Sequence, residues 1–274
     1  MTVADAIRQA ARTLSANGDT ARLDAELLMA HALGVLRSDL LLRHMDDPVP
    51  EGFETLVARR AQHEPVAYIV GETEFFGHSF TVNPAVLIPR GDSETLVEAV
   101  LDLGPQAGRV LDLGTGSGAL LLSVLAARPA MQGIGIDASF DAVQVAALNA
   151  VRLGWADRAR ILRRDWREPG WADDLGRFAL ILCNPPYVEA DAPLDASVRD
   201  YEPAQALFAG KDGLDDYRVI VPQLSSLLLP DGCAVLEIGA TQAESVAAIA
   251  HEAGFKVAAR RDLAGRNRAL VLTR

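Results

Sequence analysis

The chain is poor in cysteine. Its 274 residues include two, Cys183 and Cys233, each inside an apolar, strand-like run and neither at metal-ligand spacing. A disulfide framework is excluded and no metal site is expected; buried, reduced thiols account for both residues. No uninterrupted apolar span of about 18 residues occurs, so no membrane-spanning helix is expected. The start, Met1-Thr2-Val3-Ala4-Asp5-Ala6-Ile7-Arg8, lacks a basic stretch followed by an apolar one, which makes the cytoplasm the expected location. Positive charge is also short. The formal net charge is −11, whereas tight, sequence-independent binding to a phosphate backbone rests on many Lys and Arg contacts. Stable nucleic-acid binding is therefore not expected; protein or small-molecule substrates are. Internal repeats and low-complexity tracts are absent.

What is present suits one or two globular domains, because a 50% share of hydrophobic residues can bury a large core. Residues 1–70 read as a small helical domain. Val3, Ile7, Ala10 and Leu14 recur at helical spacing, and Asn17-Gly18 ends that segment. Leu23, Leu27 and Ala30 open the next, which Gly34 can stop in a left-handed conformation. Leu40–His44 and Phe53–Gln62 complete the region, and Pro65 breaks the pattern. From Tyr68 to Ile88, Phe and Val alternate with Gly, Asn and Pro, so residues 71–90 read as a β-hairpin connector.

In residues 91–274 strands and helices alternate. Val110–Leu113, Gly133–Ile136, Ala159–Leu162, Phe178–Cys183 and Cys233–Ile238 read as strands, separated mostly by helices at Ser117–Ala127, Ser139–Leu153, Leu214–Leu228 and Thr241–Ala253. Thr241 and Glu244 have capping-box spacing, and Gly154 and Gly254 stand where glycines end helices. Phe255–Ala259 and Arg268–Thr273 close the chain as two strands without a helix between them. This is a doubly wound α/β pattern, in which ligands bind at the carboxyl ends of the strands.

Two segments carry chemistry there. Asp112-Leu113-Gly114-Thr115-Gly116-Ser117-Gly118 joins a strand to a helix, and its alternate glycines let the backbone turn tightly and leave room for a ligand. Ala119 also satisfies a dinucleotide fingerprint, so spacing alone leaves NAD or FAD open. The next strand ends at Asp137, 21 residues after Gly116, where a carboxylate can accept ribose hydroxyls. After the third strand, Asp165 can take an adenine amino group while Trp166 covers a ring face, unless Trp166 is simply core. The second segment, Asn184-Pro185-Pro186-Tyr187, directly follows the apolar run Phe178–Cys183. Alone it reads equally as a strand exit or a site; after three adenosyl-binding elements in order, it reads as a site.

Taken together, these elements resemble the class I S-adenosylmethionine-dependent methyltransferases, and more closely the PrmC/HemK family of peptide chain release factor glutamine methyltransferases. Supporting segments span the chain: Arg22–Leu28, Pro65–Gly71, Glu74–Gly77, Leu87–Arg90, Glu202-Pro203 with Ala206-Leu207, Gly210–Leu214, Glu237-Ile238-Gly239 and Asp262–Arg266. The tetrapeptide is less discriminating, since similar elements occur in adenine-N6 nucleic-acid methyltransferases. Gly91 stands where the family usually has Pro, which should loosen that loop, and Arg164 and Arg167 depart from the pattern around Trp166.

The resemblance implies a Rossmann-like, mostly parallel seven-stranded sheet with an N-terminal helical domain. It implies methyl transfer from S-adenosylmethionine to the glutamine amide of the Gly-Gly-Gln motif in class 1 release factors. The cofactor would lie against Gly114, Thr115, Gly116, Ser117, Gly118, Asp137, Asp165, Trp166 and Asn184. The side-chain oxygen of Asn184 and the carbonyl of Pro185 would accept the two amide N–H groups, Tyr187 would stack on the amide plane, and Pro186 would complete the slot. Glu237 reads either as a site residue or as an ion pair with Arg90. The helical domain would dock the release factor or merely cap the fold, and a monomer is expected. Competing expectations are an adenine-N6 nucleic-acid methyltransferase, a non-catalytic release-factor-binding module and a nicotinamide oxidoreductase.

Overall fold

Thr2 starts the first helix, α1 (Val3–Thr13), with a reciprocal cap: its hydroxyl accepts from the Asp5 amide and the Asp5 carboxylate accepts from its own N–H. In the computed structural model, which describes residues 1–274, the chain forms two compact units. One comprises Met1–Glu72 and Leu194–Tyr201, the other Thr73–Pro193 and Glu202–Arg274.

In the helical unit, Val3, Ile7, Ala10 and Leu14 are all buried, as their spacing predicts. Helix α2 (Ala21–Leu33) ends at Gly34 in the left-handed region, but its buried face differs from the expected one. Leu23 and Leu27 are 41% and 36% exposed; Ala30 is buried as expected, and Ala25, Leu28 and Met29 enter the core with it. The reason is electrostatic: Asp24 meets Arg60 at 2.7 Å, and Glu26 meets Arg22 at 2.5 Å and Arg37 at 2.7 Å, so the carboxylates turn inward. Helices α3 (Arg37–Arg43) and α4 (Phe53–Ala61) follow. Pro65 does not end the helical region; it precedes a further short helix, α5 (Val66–Val70), where its missing N–H costs nothing and its carbonyl accepts from Tyr68 and Ile69. Tyr68 is thus helical, and the hairpin begins later, with β1 (Glu72–Phe75) and β2 (His78–Thr81).

The sheet unit opens with α6 (Glu94–Leu103), which the sequence analysis does not assign. Then come β3 (Gly108–Leu113), α7 (Ala119–Ala127), β4 (Met131–Asp137), α8 (Phe140–Arg152), β5 (Ala159–Arg163) and β6 (Phe178–Cys183). The short α9 (Ala196–Arg199) lies in the segment that belongs to the helical unit. The chain ends with α10 (Asp215–Leu227), β7 (Leu228–Glu237), α11 (Ala243–Glu252), β8 (Lys256–Arg261) and β9 (Asn267–Thr273).

Seven strands form one sheet in the order β5-β4-β3-β6-β7-β9-β8, parallel except for β9, which runs antiparallel to both neighbours. Alternation along the strands feeds two cores. Leu111, Leu113, Ile181 and Cys183 pack with α10 and α11, while Val110, Leu180 and Leu182 pack with α6 and α7. Both cysteines are free and buried, and burial raises their thiols, which keeps them protonated and inert. Gly154 and Gly254 end α8 and α11 with positive φ. The capping box at Thr241 does not form. Gln242 occupies the cap position, and its amide is spent on the Gly239 N–H and the Tyr187 carbonyl. No helix is long and apolar enough to cross a membrane.

Candidate functional site

The strand order reverses direction between β3 and β6, which opens a crevice at their carboxyl ends. Leu113 pairs with Cys183 across them, so the residues that follow, Gly114 and Asn184, leave the sheet side by side. A cavity of about 260 Å³ lies there, lined by Gly114, Thr115, Gly116, Ser117, Asp137, Asp165, Trp166, Asn184 and Pro186. Gly118, Pro185 and Tyr187 do not line it. Gly118 instead starts α7, donating its N–H to the Thr115 carbonyl.

The loop after β3 is pinned to the end of β4. Gly114 and Thr115 both donate to the Ile136 carbonyl, at 2.9 and 2.8 Å, and Gly116 donates to Asp137 Oδ2 at 3.0 Å. Gly114 has φ of +72°, and a Cβ there would come within 3.3 Å of the Trp166 ring, so conformation and space both require glycine. Beneath the loop, Asp112 Oδ2 accepts from the Thr115 hydroxyl at 2.7 Å, while Oδ1 has no partner. Burial pushes the Asp112 carboxyl up to about 7. Asn149, fully buried on α8, clamps the loop to the hairpin by bonding the Ser117 carbonyl and both backbone groups of Thr81.

Each Asp137 oxygen accepts one backbone N–H, from Gly116 and from Ser139, and retains lone pairs for further donors. Burial raises its carboxyl, against the pull of those amides. Asp165 accepts from the Arg167 N–H. Trp166 both belongs to the core and lines the cavity; its indole donates to Asp216 at 3.1 Å. Arg167 pairs with the same Asp216 oxygen at 2.6 Å and sits 5.9 Å from the Trp166 ring centre, so this departure from the family pattern fixes the indole. Arg164 is a surface partner of Asp174.

Tyr187 donates its hydroxyl to Glu237 Oε1 at 3.2 Å, and Glu237 Oε2 has no partner. Burial pushes the Glu237 carboxyl up to about 7 and holds the Tyr187 phenol protonated. The expected Arg90–Glu237 pair does not form: Arg90 bonds Glu202, and the cation near Glu237 is Arg268, itself held by Asp92 at 2.8 Å. Glu202 wins because its buried carboxylate also accepts the Ile88 N–H, two residues before Arg90 in the chain. Gly91 begins a short 3₁₀ turn that leads into α6. The backbone after the tetrapeptide is tied down by Val188 donating to Leu207 and Ala209 donating to Val188. A Cβ on Gly213 would come within 2.3 Å of the Tyr187 carbonyl oxygen, which accounts for that glycine.

Phe75, Pro89, Arg90, Gln205 and Ala206 also line the cavity, beyond the site residues expected from the sequence. All but Gln205 lie within family-like segments, which is their only signal in the sequence. No group of three or more His, Cys, Asp or Glu is placed to hold a metal ion.

The alternate glycines, the open lone pairs of Asp137 and the aromatic wall of Trp166 fit a sulfonium nucleoside, and similarity to known proteins agrees. Residues 5–71 match the PrmC N-terminal domain family and residues 91–201 the methyltransferase small domain family. Among solved structures, a methyltransferase from Pyrococcus furiosus superposes with a TM-score of 0.55 at 15% identity, covering 72% of this chain and 89% of that one. The hMettl16 catalytic domain in complex with MAT2A 3′UTR hairpin 6 superposes at 0.58 with 18% identity, covering 80% and 81%. These likenesses carry the fold alone. In sequence, the release factor glutamine methyltransferase of Cereibacter sphaeroides is 44% identical over 98% of this chain and 97% of its own. That of Mycolicibacterium smegmatis is 41% identical over 98% and 96%. With likeness of that extent along both units, the chain belongs to the release factor glutamine methyltransferase family.

Proposed function

We propose that this protein methylates the side-chain amide nitrogen of the glutamine in the Gly-Gly-Gln motif of class 1 peptide chain release factors. The observation that carries this reading is the adjacency of Gly114 and Asn184 at the switch point, where a cofactor loop and an amide-bearing side chain face one cavity. S-adenosylmethionine supplies an electrophilic methyl group on sulfur. Asp137 would hold the ribose, Asp165 and Trp166 the adenine, and Gly114 to Gly118 the backbone cradle.

A carboxamide nitrogen is a weak nucleophile because its lone pair is delocalised into the carbonyl, so orientation is the main task. Asn184 would accept one amide N–H through its side-chain oxygen, and the Pro185 carbonyl the other. Both acceptors also stabilise the positive charge that develops on nitrogen, and the proton then leaves to water. Pro186 and Tyr187 would close the slot, with the Tyr187 ring held in place by Glu237. In this reading residues 1–70 form the domain that docks the release factor, 71–90 the connector and 91–274 the methyltransferase domain.

The test is to incubate the protein with methyl-labelled S-adenosylmethionine and, separately, purified release factor or DNA, and to map the label by mass spectrometry. Label on the Gly-Gly-Gln glutamine is the expected result. Label on adenine, or none on either acceptor, would overturn the proposal.

A further inference from the structure

The cavity is lined by two carboxylates, Asp137 and Asp165, and two guanidinium groups, Arg90 and Arg167. Arg167 is committed: it pairs with buried Asp216 and lies near the Trp166 ring. Arg90 is placed differently. Its Nη2 bonds Glu202 Oε1, while its Nε and Nη1 make no hydrogen bond within the protein. The Glu202 side chain is 1% exposed against 38% for Arg90, so the acid is buried behind the guanidinium.

That acid also accepts the Ile88 N–H at 3.2 Å, which fixes both the head group and the backbone leading to it. Pro89 and Pro203 line the cavity on either side of the pair, each with a locked φ. An ion pair of this kind, with only the acid buried, contributes little net stability, because desolvating the carboxylate offsets much of the attraction. What it does provide is a guanidinium with a fixed orientation and unused donors. Two residues on, Asp92 holds Arg268, which also donates to the Ile238 carbonyl next to Glu237, the partner of Tyr187, so Arg90 enters the cavity from the side of the Asn-Pro-Pro-Tyr segment.

We infer that Arg90, held by Glu202, forms a carboxylate subsite that takes the α-carboxylate of the cofactor's methionyl tail. This rests on reading the cavity as the S-adenosylmethionine site. If sulfur is to face Asn184, the tail beyond it ends on this side, and the planar donors of arginine match a carboxylate. Glu202 is a positioning residue here, since it acts through Arg90 and does not line the cavity.

Two ligands separate the subsite from the rest of the site. S-adenosylhomocysteine and 5′-methylthioadenosine share the thioadenosine portion, and only the first carries the amino acid carboxylate. Calorimetry on the full chain should show Arg90→Gln weakening S-adenosylhomocysteine by about 10- to 100-fold, the loss of one charge-assisted contact. Affinity for 5′-methylthioadenosine should be unchanged, which also reports that the variant is folded. Arg90→Lys should recover part of the loss, since it restores the charge without the fork. Unchanged S-adenosylhomocysteine affinity in Arg90→Gln, or an equal loss for both ligands, would overturn the subsite. If the unaltered protein bound neither ligand, the cofactor reading would fall first and the subsite with it.

Discussion

The two units differ in how completely they pair their buried acids. In the helical unit, Asp24 and Glu26 are as buried as core leucines, and each meets at least one guanidinium at hydrogen-bond distance. In the sheet unit Glu202 and Asp216 also meet guanidinium groups, but Asp112 and Glu237, equally buried, meet none at hydrogen-bond distance, and each keeps one oxygen without a partner. Folding alone would favour the first arrangement, since an unpaired buried polar atom carries its full desolvation cost. Asp112 supports the glycine loop through Thr115 and Glu237 holds Tyr187, and buried acids with perturbed ionisation next to such segments are a mark of sites built for chemistry. The family-like segment Arg22–Leu28 therefore owes its charges to scaffolding and its exposed Leu23 and Leu27 to something other than core packing.

If that contrast is right, removing one member of a helical-unit pair should be the most costly change. Asp24→Ala strands Arg60 in the interior, and denaturant unfolding should show a loss of about 3–5 kcal/mol. A near-neutral result would make the pair ornamental and remove the contrast. At the sheet edge the loss should fall on ligand binding. Asp137→Ala should weaken S-adenosylmethionine by at least about 10-fold in calorimetry, with one charge-assisted contact to the ribose gone; intact affinity would refute the ribose role.

A third test concerns Asp112. Its folded carboxyl is raised from 3.8 to about 7 by burial, so the fold favours the protonated form. The stability this contributes is complete below the unfolded value and disappears as pH rises through about 7. Asp112→Asn should therefore raise the melting temperature at about pH 8 and give little or no gain at about pH 4. Equal shifts at both would show that ionisation at this position is not what costs the fold.

Much of the architecture was legible because burial on both faces writes itself as short apolar runs. Phe178–Cys183 fell on its observed bounds, and the antiparallel closing pair was evident from the absence of a helix between its strands. Helix exits marked by glycine were equally clear. The errors have a common origin in tertiary partners. Leu23 and Leu27 matched a helical stripe, but the stripe was overruled by ion pairs to Arg60 and Arg37, which are remote in sequence. Thr241 lost its capping role because the neighbouring Gln242 was needed by the Gly239 and Tyr187 backbones. At the site, residues at the carboxyl ends of β3, β4, β5 and β6 could be named because sheet order brings them together. Phe75, Arg90 and Gln205 could not, since they arrive from the hairpin, from the segment between it and α6, and from the loop before α10.

The central claim is that Asn184 orients the acceptor amide, and one variant tests it most directly. Asn184→Ala should cut methyl transfer to release factor by about 10²-fold or more, the loss expected for an oriented hydrogen bond in a transition state. S-adenosylmethionine affinity, measured on the same preparation by calorimetry, should be largely retained. Unchanged turnover in that variant would contradict the account.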